Sequence, residues 1–382
     1  LAQTSWDQCA LALANPGGAI MPVVQHAIKP IAGFASSAGF WASALVGMLL
    51  VVYGNPMRHE AEPYAAIEPT PVGQVARDDY GAQIWSLAFS RDGSQLAAGT
   101  IIGDVWIKQM RTGQSSRITE APLGRGRSIA FSTRGHALAF TDKQTMIRFW
   151  DTEERLDSDP LDIRDAEAKQ VAFSPDGTTI AIGGTDGMLG LWDAHTRNRI
   201  ATLRGHRVGI NTIAFSTDGA QLVSGDKSGL IKTWALADRR EQATLRAHRD
   251  ESGQVMSIAL TSDGALLATA TSFESTVRFW DPATGSPRGF WNAGEPRVNS
   301  IAFSADGVLL AVALNDGTLC VLSVPLREVM ASVRPSPRAL EAVAFAPGGT
   351  ALVTGGLDGS LRVWDLSRLL SAHPASTAPS RP

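Results

Sequence analysis

The chain has 382 residues, with 34 Lys and Arg against 37 Asp and Glu and a formal net charge of −3. Without a basic excess there is no electrostatic footprint for nucleic acid, which is not expected as a partner. The only cysteines, Cys9 and Cys320, exclude a disulfide framework and leave the redox compartment open.

In residues 1–30, the apolar start at Cys9–Ala14 is broken by Asn15-Pro16-Gly17-Gly18 before Ala19–Ile28. Such an interrupted stretch reads as an interfacial or partner-bound segment rather than a span. Leu1 is not an initiator, so upstream sequence is expected. From Pro30 to Met57 there is no Asp, Glu, Lys, Arg or His, and residues 31–53 are apolar or small throughout. A run of about 20 such residues crosses a hydrocarbon core, so one transmembrane helix is expected over 31–53. No small-residue cleavage pattern followed by polar sequence supports a signal peptide instead.

Ala35, Gly39, Ser43 and Gly47 recur every four residues, a spacing that lets another helix approach closely. They form the candidate packing face for integral-membrane subunits, while Phe34, Phe40, Trp41, Leu45 and Leu49 lie on the opposite, lipid-facing side. Lys29 and Arg58 bracket the run one against one, so charge leaves the orientation open, with the cytoplasmic side preferred for the following domain. The expected location is a membrane, as a single-pass protein of a bacterial inner membrane. Residues 54–69, with Pro56, Pro63 and Pro69, form an extended, semi-rigid linker.

From residue 70 to 366 one phrase recurs seven times. It reads Ala-Phe-Ser-Arg-Asp-Gly at 88–93 and Ala-Phe-Ser-Pro-Asp-Gly at 172–177, with variants at 130–135, 214–219, 259–264, 302–307 and 344–349. Its second residues are Phe89, Phe131, Phe173, Phe215, Leu260, Phe303 and Phe345, with steps of 42, 42, 42, 45, 43 and 42. A period in the low forties with short β segments predicts a propeller. In the third copy, 169–174 reads as a first strand, 178–184 as a second, 188–193 as a third and 200–204 as a fourth, with Asp-Gly turns between the first three. Recurrence of Asp-Gly at one turn per repeat favours β-turn chemistry over calcium loops. The small Ala before each bulky residue suits an innermost strand where the wedge is narrowest.

These residues resemble the WD40-repeat family. Trp-Asp closes the third strand at Trp150-Asp151, Trp192-Asp193, Trp280-Asp281 and Trp364-Asp365, with Trp234-Ala235 as a degenerate fifth. Gly205-His206 and Ala247-His248 stand where the family places its Gly-His pair. Lys108 and Leu322 replace the tryptophan in the first and sixth units. The resemblance implies an all-β, seven-bladed β-propeller. Its buried His–Ser/Thr–Asp–Trp hydrogen-bond set reads as incomplete in every unit. Asp186 and Asp358 lack a histidine, and His206 and His248 face Ser228 and Glu274 at the aspartate position.

The seventh unit stops at three strands, after which residues 367–382 form a Pro/Ser-rich tail. A gap-free alignment of 75–90 with 201–216 puts 70–76 in the missing position, so the N-terminal strand is expected to complete the last blade. The charge-rich stretch 153–165 reads as a solvated loop inserted between strands.

Chemistry is sparse. The seven histidines (His26, His59, His136, His195, His206, His248, His373) have no metal-ligand spacing, and no P-loop, nucleophile elbow or Cys-x-x-Cys occurs. No catalytic residue, cofactor or metal is expected. Four residues before each bulky position lie Trp85, Arg127, Lys169, Asn211, Met256, Asn299 and Glu341. In the resembled family this position rims the central channel on a face that commonly binds partners, so these seven form the candidate protein-binding surface. The leading expectation is a non-catalytic, membrane-anchored scaffold, an accessory or assembly subunit of an integral-membrane complex in respiration, photosynthesis, transport or secretion. The alternatives are the sensor portion of a membrane signalling protein, such as a bacterial Ser/Thr kinase, and a propeller enzyme.

Overall fold

The computed structural model describes residues 74–119, 128–141, 146–163, 167–247 and 253–372. They form seven four-stranded antiparallel sheets. In blade 4 the strands run from the axis outward as Ile210–Phe215 (strand a), Gln221–Asp226 (b), Leu230–Ala235 (c) and Arg240–Arg246 (d). Strand a of each blade contacts strand a of the next, and the ring closes where Leu340–Phe345 meets Ile84–Phe89.

The repeated phrase makes the a–b turn. Ser174 Oγ donates to Asp176 Oδ1 at 2.6 Å and accepts from Thr179 N at 2.9 Å, while Asp176 Oδ1 accepts from Thr178 N at 3.1 Å. The same clasp joins Ser90 to Asp92, Ser216 to Asp218, Thr261 to Asp263 and Ser304 to Asp306. These carboxylates are thus occupied by their own turns, and the hydrogen bond from Ser90 is the main influence holding Asp92 down at about 2. The final Gly of all seven phrases has φ between 68° and 71°, a left-handed conformation that glycine adopts without a Cβ clash.

Blades adhere through apolar seams. Leu189, Leu191 and Leu203 of blade 3 pack on Ile210, Ile213, Leu222 and Trp234 of blade 4, and a corresponding cluster fills each of the other six seams. Burying one such Leu or Ile contributes about 1.5–3 kcal/mol, so the seams supply most of the cohesion that local sheets lack.

Closure uses the N-terminal strand, but at Gln74–Asp79, paired with Ser360–Asp365; residues 70–73 lie outside the described residues. The strand runs on past the expected end because Asp78 and Asp79 continue the ladder opposite Leu361 and Ser360. Lys108, standing where five other blades have tryptophan, is buried and reaches across the seam to Asp78 Oδ2 at 2.5 Å. Beside it Tyr80 stacks on Trp106, with centroids 4.9 Å apart and planes at 9°. Burial lifts the Tyr80 hydroxyl to about 12.

The charge-rich stretch after Asp151 is not a loop. Leu156–Asp162 forms strand d of blade 2, paired with Met146–Asp151. Only Leu161 is buried in it, because an outermost edge strand leaves its charged side chains in water. Pro160 is tolerated there since an edge has ladder positions with no donor required. Past blade 7, Leu366–Ala372 forms a helix that buries Leu366 and Leu369 in the seam of blades 6 and 7. Asp365 Oδ1 caps it, accepting from Arg368 N at 3.0 Å. Among the described residues no helix is long and apolar enough to cross a membrane. The apolar run 31–53, with Ala35, Gly39, Ser43 and Gly47, lies outside the described residues, as do segments 1–30 and 54–69.

Candidate interaction surface at the channel rim

Strand a begins on the face that also carries the b–c turns and the d–a connections. In six blades its register against strand b shifts at the second residue, which is the extra residue of a β-bulge. Those residues are Trp85, Lys169, Asn211, Met256, Asn299 and Glu341, six of the seven rim positions; Arg127 lies outside the described residues. A bulge bends the strand and re-aims one side chain, which gives this repeated position its distinct direction.

The rim is more cross-linked than its sequence suggests. Lys169 is buried, and its Nζ donates to Asn211 Oδ1 of the next blade at 2.9 Å. Asn211 Nδ2 in turn lies 3.2 Å from both Gln254 Oε1 and the Val255 carbonyl of blade 5. Asn299 Nδ2 donates to the Leu340 carbonyl at 3.0 Å and to Glu341 Oε1 at 3.3 Å. Burial pushes the Glu341 carboxyl up to about 7. Trp85 is half-buried rather than an exposed aromatic. Of the described rim residues Met256 is the most exposed, at 40%.

Sequence reasoning missed the apolar residue beside it. Phe273, in the b–c turn of blade 5, is 57% exposed, with the Arg297 guanidinium 5.5 Å from its ring centre. Ile102 and Val208 are exposed on the same face. No repeated motif marks these turn positions; only an aromatic at a tip where blades 3, 6 and 7 have Asp186, Asp316 and Asp358 could have flagged Phe273.

The buried polar set is complete in blade 4, against expectation. His206 Nδ1 meets Asp226 Oδ2 at 2.7 Å, His206 Nε2 meets Ser224 Oγ at 2.7 Å, and Trp234 Nε1 donates to Ser224 Oγ at 2.9 Å. The aspartate stands two residues earlier than the position of Ser228. Asp226 Oδ1 then takes Ser228 N, Ser228 Oγ and Leu230 N, folding the turn around itself. Burial pushes Asp226 up, yet the hydrogen bonds from His206 and Ser228 outweigh it and hold the carboxyl below its usual range. Although Ser, His and Asp lie in hydrogen-bond reach, the His206 and Asp226 side chains are fully buried and the serine oxygen also serves Trp234. No substrate reaches such a group, so this is a clasp. Blades 5 and 7 retain the tryptophan bonds, Trp280 Nε1 to Thr269 and Trp364 Nε1 to Thr354, each 3.0 Å, and His248 lies outside the described residues. In blade 7 the buried Arg362, two residues before Trp364, lies 2.6 Å from Asp358 Oδ2. Among the described residues no group of His, Cys, Asp and Glu is placed to hold a metal ion.

Comparison with known proteins agrees with this geometry. The family described as "WD domain, G-beta repeat" matches residues 165–193, 197–235, 239–281, 286–323 and 334–365. Blades 1 and 2, with Lys108 for tryptophan and Arg134 for the turn aspartate, fall outside those matches. The Dictyostelium discoideum "Protein LST8 homolog" is 31% identical over 104 residues, 27% of this chain and 34% of that protein. The Schizosaccharomyces pombe "U3 small nucleolar RNA-associated protein 21 homolog" is 29% identical over 112 residues, 29% of this chain and 12% of that protein. The Drosophila melanogaster "Protein groucho" is 27% identical over 127 residues, 32% of this chain and 17% of that protein. The aligned stretch therefore spans about a third of the first relative and under a fifth of the other two. With seven blades built on the repeated phrase and five of them matched, the chain belongs to the WD40-repeat β-propeller family.

Proposed function

We propose that this chain is a non-catalytic scaffold whose rim face docks a protein partner, and that the apolar run 31–53 anchors it as an accessory subunit of an integral-membrane assembly. The observation that carries the docking reading is the bulge ring. It fixes side chains blade to blade through Lys169–Asn211 and Asn299–Glu341, and leaves Met256 and nearby blade-5 Phe273 exposed. A pre-organised platform loses little entropy on binding, and an exposed Met and Phe supply apolar contact. The membrane part rests on the uncharged run and the small residues Ala35, Gly39, Ser43 and Gly47.

The test uses the full chain recovered in detergent, with mass spectrometry of co-purifying subunits. Met256→Asp combined with Phe273→Ser should lower recovery of a propeller-bound partner about tenfold or more without unfolding the propeller. Gly39→Leu with Gly47→Leu should release helix-bound subunits, since lipid tolerates Leu as readily as Gly. Unchanged recovery in the first pair rejects the rim reading, and in the second the anchor reading.

A further inference from the structure

The face opposite the rim is made of a–b and c–d turns, and seams there open into clefts. Between blades 1 and 2 lies one of about 640 Å³, but its basic side chains are engaged. Arg91 donates to the Thr133 carbonyl at 3.2 Å, and His136 lies 2.9 Å from Glu153. Between blades 3 and 4 the cleft is about 290 Å³, and Asp176 and Asp218 line it with Arg239.

The seam of blades 2 and 3 differs. Its cleft of about 380 Å³ is lined by Arg134, Phe149, Phe173, Asp193, His195 and Arg197, among others. Neither arginine side chain forms an ion pair or hydrogen bond among the described residues. Arg134 occupies the turn position where five other blades place the clasp aspartate, so the substitution both removes an acid and adds a base. Arg197 lies over the Phe149 ring, 4.5 Å from its centre. Stacking engages the flat face of a guanidinium and leaves its edge donors for a carboxylate. The one acid in the lining, Asp193, has Oδ1 already accepting from His195 N, Thr196 N and Thr196 Oγ1. Asp176, which feels the Arg134 charge, is held in its own clasp. The half-buried Phe173 and Ala194 add apolar wall.

We propose that this seam binds an extended acidic segment of a partner protein, with carboxylates on Arg134 and Arg197 and an adjacent apolar side chain on Phe173. Charge complementarity commits the occupant: two cations that make no ion pair line one concavity against a single acid, Asp193, and its volume suits a few side chains. It is independent of the rim reading and lies on the other face.

The probe is a fluorescein-labelled octapeptide, Gly-Ser-Leu-Asp-Glu-Phe-Ser-Gly, titrated against the full chain in detergent by fluorescence polarisation. Its counterpart carries Asn and Gln for the two acids. The acidic peptide should bind about tenfold tighter than the neutral one and weaken when salt is raised to about 0.5 M. Arg134→Gln and Arg197→Asn should each cost about fivefold; Asn tolerates the left-handed backbone at 197, where φ is 58°. Arg111→Gln, outside the cleft, should change nothing. Unfolding midpoints near wild type keep the comparison valid, and Arg134→Gln on its exposed turn serves if Arg197→Asn unfolds. Equal binding of the two peptides, no binding of the acidic one, indifference to Arg134→Gln, or full competition by inorganic phosphate would each overturn the proposal.

Discussion

Replacing Ser224 by alanine removes one oxygen that two buried groups share, His206 Nε2 at 2.7 Å and Trp234 Nε1 at 2.9 Å. Both lie in the interior, with Trp234 2% exposed and Ser224 wholly buried, so bulk water does not take over. A buried polar group left without its partner costs about 1–3 kcal/mol, which sums to about 2–6 kcal/mol for the pair. In blade 7 Thr354→Val, nearly isosteric, strips an acceptor from Trp364 Nε1 alone, for about 1–3 kcal/mol. The ratio of the two costs is therefore about two, and it reports whether the blade-4 clasp acts as a connected set. Equilibrium denaturation gives the totals. Hydrogen exchange over 221–226 and 230–235 tells whether the loss is local to the blade, as stacked repeats allow. If Ser224→Ala costs no more than Thr354→Val, His206 and Asp226 are bystanders and the reasoning fails.

Two further perturbations probe the ring. Glu341 is raised from 4.5 to about 7 by burial, so between those values the folded state holds a proton that the unfolded chain has released. Stability should fall as pH rises through that window, by at most about 3 kcal/mol, and Glu341→Gln should abolish the slope. Unfolding midpoints at about pH 5 and pH 8 check it, and a wild-type protein without the slope contradicts it. Lys108→Leu breaks the seam pair with Asp78; because Asp78 is 26% exposed and water replaces part of the loss, the cost should be about 1–3 kcal/mol. Exchange of the 74–79 amides should rise first, and unaltered protection there would show that the closing strand does not depend on Lys108.

The turns made the fold legible. Ser/Thr-x-Asp-Gly specifies a clasp by local hydrogen bonds in five blades, and together with its variants at 130–135 and 344–349 it counts the seven blades before any tertiary contact is known. Closure was legible for the same reason, since a missing fourth strand is a local deficit. What escaped the sequence depended on position in space. Asp226 completes a set from a place two residues off the repeat, because the turn between strands b and c can pivot about its side chain. Leu156–Asp162 hid as a charged stretch, since an outermost strand needs one buried residue rather than an alternating face. At the rim, periodicity picked out the position but not the bulge that aims it, nor which side chains a neighbouring blade would consume. Lys169, expected on the partner-binding surface, is buried against Asn211.

The central claim, that this propeller works by docking a protein on its rim face, is tested most directly by placing a photo-crosslinking amino acid at two positions in the full chain. One is Met256 on the rim; the other is Phe290 on the outermost strand of blade 5, 63% exposed. Irradiation in intact cells followed by mass spectrometry should give a defined adduct from position 256 and none from 290. An adduct from 290 with none from 256 would place the partner on the perimeter and contradict the account.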